Sequence, residues 1–174
     1  MFENSNNFIG YEYKDVITSR ELEGIYADSY PSFGWSLDGA VPIPIIGMST
    51  ITLKFKRDRK IRNKAELTRL QRQFESYISE IIRMEKSKSV SASITAFTVG
   101  IIGTAFVAGA TFSYLANFIL LCIILAIPGF IGWILPYFLY NLTYAKKTNK
   151  LTPLIEVKYD EIYEVCEKGN GLLE

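Results

Sequence analysis

Short alternating stretches mark the first sixty residues, a helical period follows them, and a long uninterrupted apolar run comes next. "YEYKDV" is aromatic and alternating, which predicts a strand from about Tyr11 to Ile17. Thr18, with Glu21 three residues on, has the form of a capping box. It opens a short helix with Leu22, Ile25 and Tyr26 on one face, ended by Pro31 and Gly34. "GWSLDG" reads as a second short strand and "AVPIPIIGM" as a loop. "STITLKFK" is the clearest strand: Ile51, Leu53 and Phe55 face one way, and Thr50, Thr52, Lys54 and Lys56 the other. A helix follows, with Asn63 as N-cap and Glu66 as its reciprocal partner. Its apolar residues Leu67, Leu70, Phe74, Tyr77, Ile81 and Met84 form a seam spaced 3-4-3-4-3. Such a seam packs either on the sheet or against a second copy, as a stalk leading into the next segment.

Residues 89–145 contain no Asp, Glu, Lys or Arg. As one helix this run would be about 85 Å long, against a hydrocarbon core of about 30 Å, so it must turn. "SYLAN" (Ser113–Asn117) is its most polar interior stretch, and a split there leaves two spans, about 90–112 and 118–140. Ala96, Gly100, Thr104 and Ala108 place a small residue every fourth position along the first span, widened by Gly103. Ala126, Pro128, Gly129 and Gly132 supply close-packing positions in the second. The stripe serves the partner span of the same chain, a second protomer or another membrane protein. Beyond the spans, "LTPLIEVKYDEIYEVCEKGNG" offers Thr152 as N-cap, Pro153 at the first helical position and Gly169 as terminator. "IEVKY" also alternates, which leaves a short strand at 154–160 as the alternative. The fold class expected is an α+β membrane protein. It comprises a cytoplasmic βαββα domain (1–88), a transmembrane helical hairpin (89–145) and a cytoplasmic C-terminal amphipathic helix (146–174).

Charge sharpens this picture. The chain of 174 residues has a net charge of +1, but residues 1–53 sum to −5, 54–88 to +7 and 151–174 to −4. Bases crowd both outer flanks of the hairpin, Arg83, Lys86 and Lys88 before it and Lys146, Lys147 and Lys150 after it, and none lies in the turn. Such flanks are retained in the cytoplasm, which puts both termini inside the cell membrane. The run "ITLKFKRDRKIRNK", with Lys54, Lys56, Arg57, Arg59 and Lys60, is then a candidate membrane-surface segment for anionic lipid, or a solvated strand edge. Nucleic acid is disfavoured, because only Phe55 interleaves the bases and the termini are acidic.

The chain has no histidine, which removes the commonest general base and metal ligand. It has no phosphate-binding loop, dinucleotide fingerprint or nucleophile elbow, and its two cysteines, Cys122 and Cys166, form no motif. "MFENSNNFIG" lacks the basic and apolar regions of a cleavable signal peptide. No enzyme, metal or cofactor is expected. "YEYKDV", "FGW" and "ITLKFKR", over Tyr11–Arg57, resemble a small bacterial βαββ module of unknown function. "NKAELTRLQRQF", "GIIGTAF", "AIPGFIGWILPYF" and "DEIYEVCEKGN" resemble a group of small two-span membrane proteins of Gram-positive bacteria. The second resemblance implies membrane insertion and no activity. The expected role is a non-enzymatic adaptor or accessory subunit, self-associating or part of a larger membrane complex. A membrane-lipid sensing module and a small oligomeric pore are the alternatives.

Overall fold

A computed structural model of the chain describes residues 10–45 and 48–174. Strand β1 (Tyr11–Ser19) leads through helix α1 (Glu23–Ser29) and a 3₁₀ turn (Tyr30–Phe33) to β2 (Ser36–Ile45) and β3 (Met48–Asp58). Two 52-residue helices follow, α2 (Lys64–Leu115) and α3 (Ile119–Asn170). The molecule is α+β: a three-stranded antiparallel sheet followed by two long apolar helices. It divides into two units, one built from residues up to Ile78 together with Tyr159–Glu174, the other from Ser79–Lys158.

In the first unit β3 is central, flanked by β1 and β2, and both pairings are antiparallel. Alternation works on it as hydrophobic pattern dictates. Ile51, Leu53 and Phe55 are buried, while Lys54 is exposed and Thr52 and Lys56 are partly so. Tyr30 stacks on Phe55 with ring centroids 4.3 Å apart, and Phe74 of α2 meets Tyr26, Tyr30 and Phe33 edge-on or tilted. Leu67, Leu70 and Ile78 are buried as well, while Tyr77 of the expected seam is only half-buried; its last members, Ile81 and Met84, belong to the second unit, where Ile81 is buried and Met84 half-buried.

Local expectations fail where the neighbouring element continues. Thr18 does not cap α1. It is a buried residue of β1 paired with Ile51, Leu22 occupies the cap position, and no side chain caps that helix. Residues 146–174 do not begin a separate helix at Thr152, because α3 passes unbroken through Pro128, Pro136 and Pro153. Each proline removes one backbone donor from the ladder. Thr152 turns its hydroxyl back to the Thr148 carbonyl at 2.9 Å instead of capping. Gly169 is not a terminator but a contact. A Cβ there would stand 2.6 Å from the Ser32 carbonyl oxygen and 3.1 Å from the Phe33 ring.

In the second unit the connection between helices spans 116–118, where Asn117 takes φ +63° and the Asn117 and Phe118 amides bond back to Tyr114 and Ser113. Both helices are long and apolar enough to cross a membrane, and only 11% of each apolar window is buried. That exposure suits a lipid environment and does not suit the core of a soluble domain.

Candidate functional site

The basic run Ile51–Lys64 separates into three environments. Lys54 and Lys56 stand on the open face of the sheet, each with an acid beside it: Asp15 is the register partner of Lys54, and Asp38 is hydrogen-bonded to Lys56. Arg59, Lys60 and Arg62 are exposed on the loop between β3 and α2. Arg57, expected on the membrane surface, is instead in the interior and 4% exposed. Its Nε donates to Glu12 at 2.6 Å and Nη1 to the Phe33 carbonyl at 3.2 Å, and the guanidinium lies 4.4 Å from the Trp35 ring centre. Alternation explains the burial. Arg57 shares a face with Leu53 and Phe55, so it can enter the core only with its charge matched.

Two carboxylates organise the polar groups between sheet and helix. Glu12 accepts from Arg57 and, at 2.6 Å, from Lys64. Burial opposes its ionisation, but the hydrogen bonds from Lys64 and Arg57 outweigh that and hold its carboxyl below the usual value. Glu75 accepts at one oxygen from Lys14 at 2.6 Å, Tyr30 at 2.8 Å and Gln71 at 2.8 Å. Gln71 in turn accepts from the Trp35 indole at 2.8 Å. Burial again pushes the carboxyl up, while Lys14, Gln71 and Tyr30 together bring it below its ordinary range. Burial and the Glu75 charge push the Tyr30 phenol far up, so it stays a donor. These groups are all engaged with one another. They fasten α2 to the sheet. Sequence reading named Trp35 only within the "FGW" resemblance and did not single out Glu12, Gln71 or Glu75. Among the described residues no three His, Cys, Asp or Glu side chains gather as a metal site.

The second unit carries the small residues. The closest approach of its helices is backbone to backbone. A Cβ on Gly132 would stand 2.6 Å from Gly103 Cα, and one on Gly103 would stand 2.8 Å from the Gly132 carbonyl carbon. A Cβ on Gly129 would meet Val107 at 2.7 Å. The contact therefore follows Gly103 and Val107, with Ala110 buried beyond them. Thr104 and Ala108 are exposed, and Ala96 and Gly100 are half-buried. Ala96, Phe97, Gly100, Thr104, Trp133 and Pro136 line an open groove of about 450 Å³. The Trp133 indole donates to the Thr104 hydroxyl at 3.3 Å across it. Ala126 and Pro128 are half-buried and Gly129 and Gly132 fully so. Around the ends of the apolar run, Arg83, Lys86, Lys146 and Lys150 are exposed and Lys147 is half-exposed, whereas Lys88 is buried and paired with Glu85 at 2.7 Å.

No protein-family model, curated protein or solved structure matches this chain.

Proposed function

We propose that the chain is a two-span protein of the cell membrane that acts as a non-enzymatic adaptor or accessory subunit, with both termini in the cytoplasm. One observation carries this reading. The hairpin closes through Gly103, Val107, Gly129 and Gly132, which leaves the neighbouring face of Ala96, Gly100 and Thr104 open as a groove. In lipid, helices associate by close van der Waals packing, and a shallow floor of small residues with aromatic walls fits a third helix. The part-buried polar network of the first unit, which ties α2 to the sheet, supports a holding role. The cytoplasmic placement of both ends follows from the basic flanks around the charge-free run.

Substituting Leu at Gly100 and Thr104 tests the groove. A Cβ at Gly100 would meet only Pro136 Cγ, at 3.8 Å, so the substitution fills the groove without parting the hairpin. The wild-type chain, extracted gently and weighed by light scattering, should carry a stoichiometric companion identifiable by mass spectrometry, and the Leu variant should lose it. An unchanged complex would remove the groove from the account.

A lipid-sensing role rests on the flanking bases rather than on the Ile51–Lys64 run. The exposed bases Arg83, Lys86, Lys146 and Lys150 flank the charge-free run directly, where anionic lipid attracts each by about 1 kcal/mol. A pore would need several copies, because the two helices touch at Gly103 and Gly132 and leave no channel between them there.

A further inference from the structure

The end of the charge-free run in α3 carries a basic pocket, and we infer that it holds the headgroup of a membrane phospholipid bearing two phosphates. The inference rests on the two-span reading and names the lipid class that one of its basic flanks takes. Leu142, Thr143, Lys146, Lys147 and Lys150 line a pocket of about 430 Å³ within the second unit. Thr143, Lys146, Lys147 and Lys150 have the i, i+3, i+4, i+7 spacing of one helix face, so three ammonium groups and a hydroxyl share one side. Leu142 is exposed beside them, within the charge-free run 89–145.

The pocket's polar groups are not matched from within the chain. Lys88 and Lys158 of the same unit are paired, with Glu85 at 2.7 Å and Glu80 at 3.2 Å. Among the described residues no carboxylate pairs with Lys146, Lys147 or Lys150, although Lys147 is half-buried. Like charges at i and i+4 repel, so Lys146 and Lys150 weigh against the helix unless an anion joins them. Thr143 departs from its neighbours in the same way. The hydroxyls of Thr95, Thr98, Thr104 and Thr111 in α2, and of Thr152 in α3, bond back to the carbonyl four residues earlier at 2.8–3.0 Å. The half-buried Thr143 does not, and among the described residues its hydroxyl takes no protein partner.

Charge, spacing and polarity select the occupant. One phosphate leaves ammonium groups unmatched. Two phosphates fit Lys146 and Lys147 on one turn and Lys150 on the next, about 5 Å further along the axis. Leu142 at the edge of the pocket suits the acyl chain of an amphiphile and offers nothing to a free phosphate. Basic pockets at the cytoplasmic end of membrane helices take anionic headgroups for these reasons.

The test uses the full chain in neutral detergent and native mass spectrometry with added diphosphatidylglycerol, phosphatidylglycerol or pyrophosphate. One diphosphatidylglycerol should bind, at least about fivefold more tightly than phosphatidylglycerol, and equimolar pyrophosphate should not displace it. K146A/K147A/K150A should weaken binding at least about tenfold and T143V about threefold. R83A/K86A, which removes basic charge outside the pocket, should weaken it less than about threefold. K146R/K147R/K150R keeps the charge and should keep the lipid, which separates a lost site from a lost fold. No bound lipid, equal affinity for the two lipids, displacement by pyrophosphate, or as large a loss in R83A/K86A as in the lysine triple variant would each overturn this site and leave the spans standing. A chain that stays in solution without detergent would overturn the two-span reading together with the site.

Discussion

Replacing Gly132 by Ala adds one methyl group at the tightest point of the hairpin. Its Cβ would lie 2.6 Å from Gly103 Cα and 3.2 Å from Gly103 N, against ordinary contacts of about 3.5–4.0 Å. The obstructing atoms are backbone, so no rotamer change relieves the clash. The helices must separate by about 1 Å there, and the neighbouring contacts of Gly129 with Val107 and of Gly109 with Leu125 loosen with them. Overpacking of this kind costs about 1–3 kcal/mol. For a chain of this size that corresponds to about 3–9 °C in the unfolding midpoint. Gly100→Ala is the matched control, since its Cβ would find only Pro136 Cγ at an ordinary 3.8 Å. Thermal unfolding of both variants in the same detergent should lower the midpoint for Gly132→Ala and leave that of Gly100→Ala within about 1 °C. Equal midpoints for the two variants, either both lowered or both unchanged, would refute the assignment of the crossing to Gly103 and Gly132.

Three further outcomes follow from the first unit. Arg57→Ala removes a buried cation that Glu12 and the Phe33 carbonyl both use, and should cost about 3 kcal/mol, read from denaturant unfolding followed by Trp35 fluorescence. Glu12 and Glu75 both have carboxyls held below their ordinary values, so their stabilising contribution is complete above about pH 4.3, the unfolded value, and is lost as pH falls through their lower folded values. Glu75→Gln should flatten that acid-side loss, and an unchanged profile would show that Glu75 contributes none of it. Gly169→Ala drives a methyl group into the Ser32 carbonyl and the Phe33 ring, and should release the end of α3 by about 1–3 kcal/mol, seen as faster proteolysis after Tyr159.

The sequence showed the period of each element more readily than the depth at which its residues sit. The charge-free run showed two apolar helical stretches and the turn between them, though not how far each helix continues beyond it, and alternation showed β3, because both signals are local. The helix contact uses Gly103, which widened the expected stripe, and the expected Gly129 and Gly132 opposite it, rather than the central stripe positions. Ala96, Gly100, Thr104 and Ala108 satisfy a small-residue pattern, yet the crossing belongs to Gly103 and Val107, chosen by the glycine opposite at 132. Pattern reports which faces can pack closely, and only the partner decides which one does. Thr18 and Thr152 looked like caps, but each is absorbed by an element that runs on: β1 through its ladder with β3, and α3 through Pro153. The Glu75 network was out of reach for another reason. Lys14 and Glu75 are 61 residues apart, and neither residue carries a local signal of the other. Arg57 could have been read from alternation, since it continues the buried series Ile51, Leu53 and Phe55.

The reading of the open groove as a partner site is tested most directly by a photo-crosslinking residue placed at Thr104 and, separately, at Ile123, in cells and in native membrane. Thr104 faces the groove, and Ile123 is an exposed apolar position of α3 outside it. Thr104 should yield a discrete protein adduct, either one foreign polypeptide or a second copy, while Ile123 yields lipid. Lipid adducts alone from both positions would contradict the claim that the groove holds a helix.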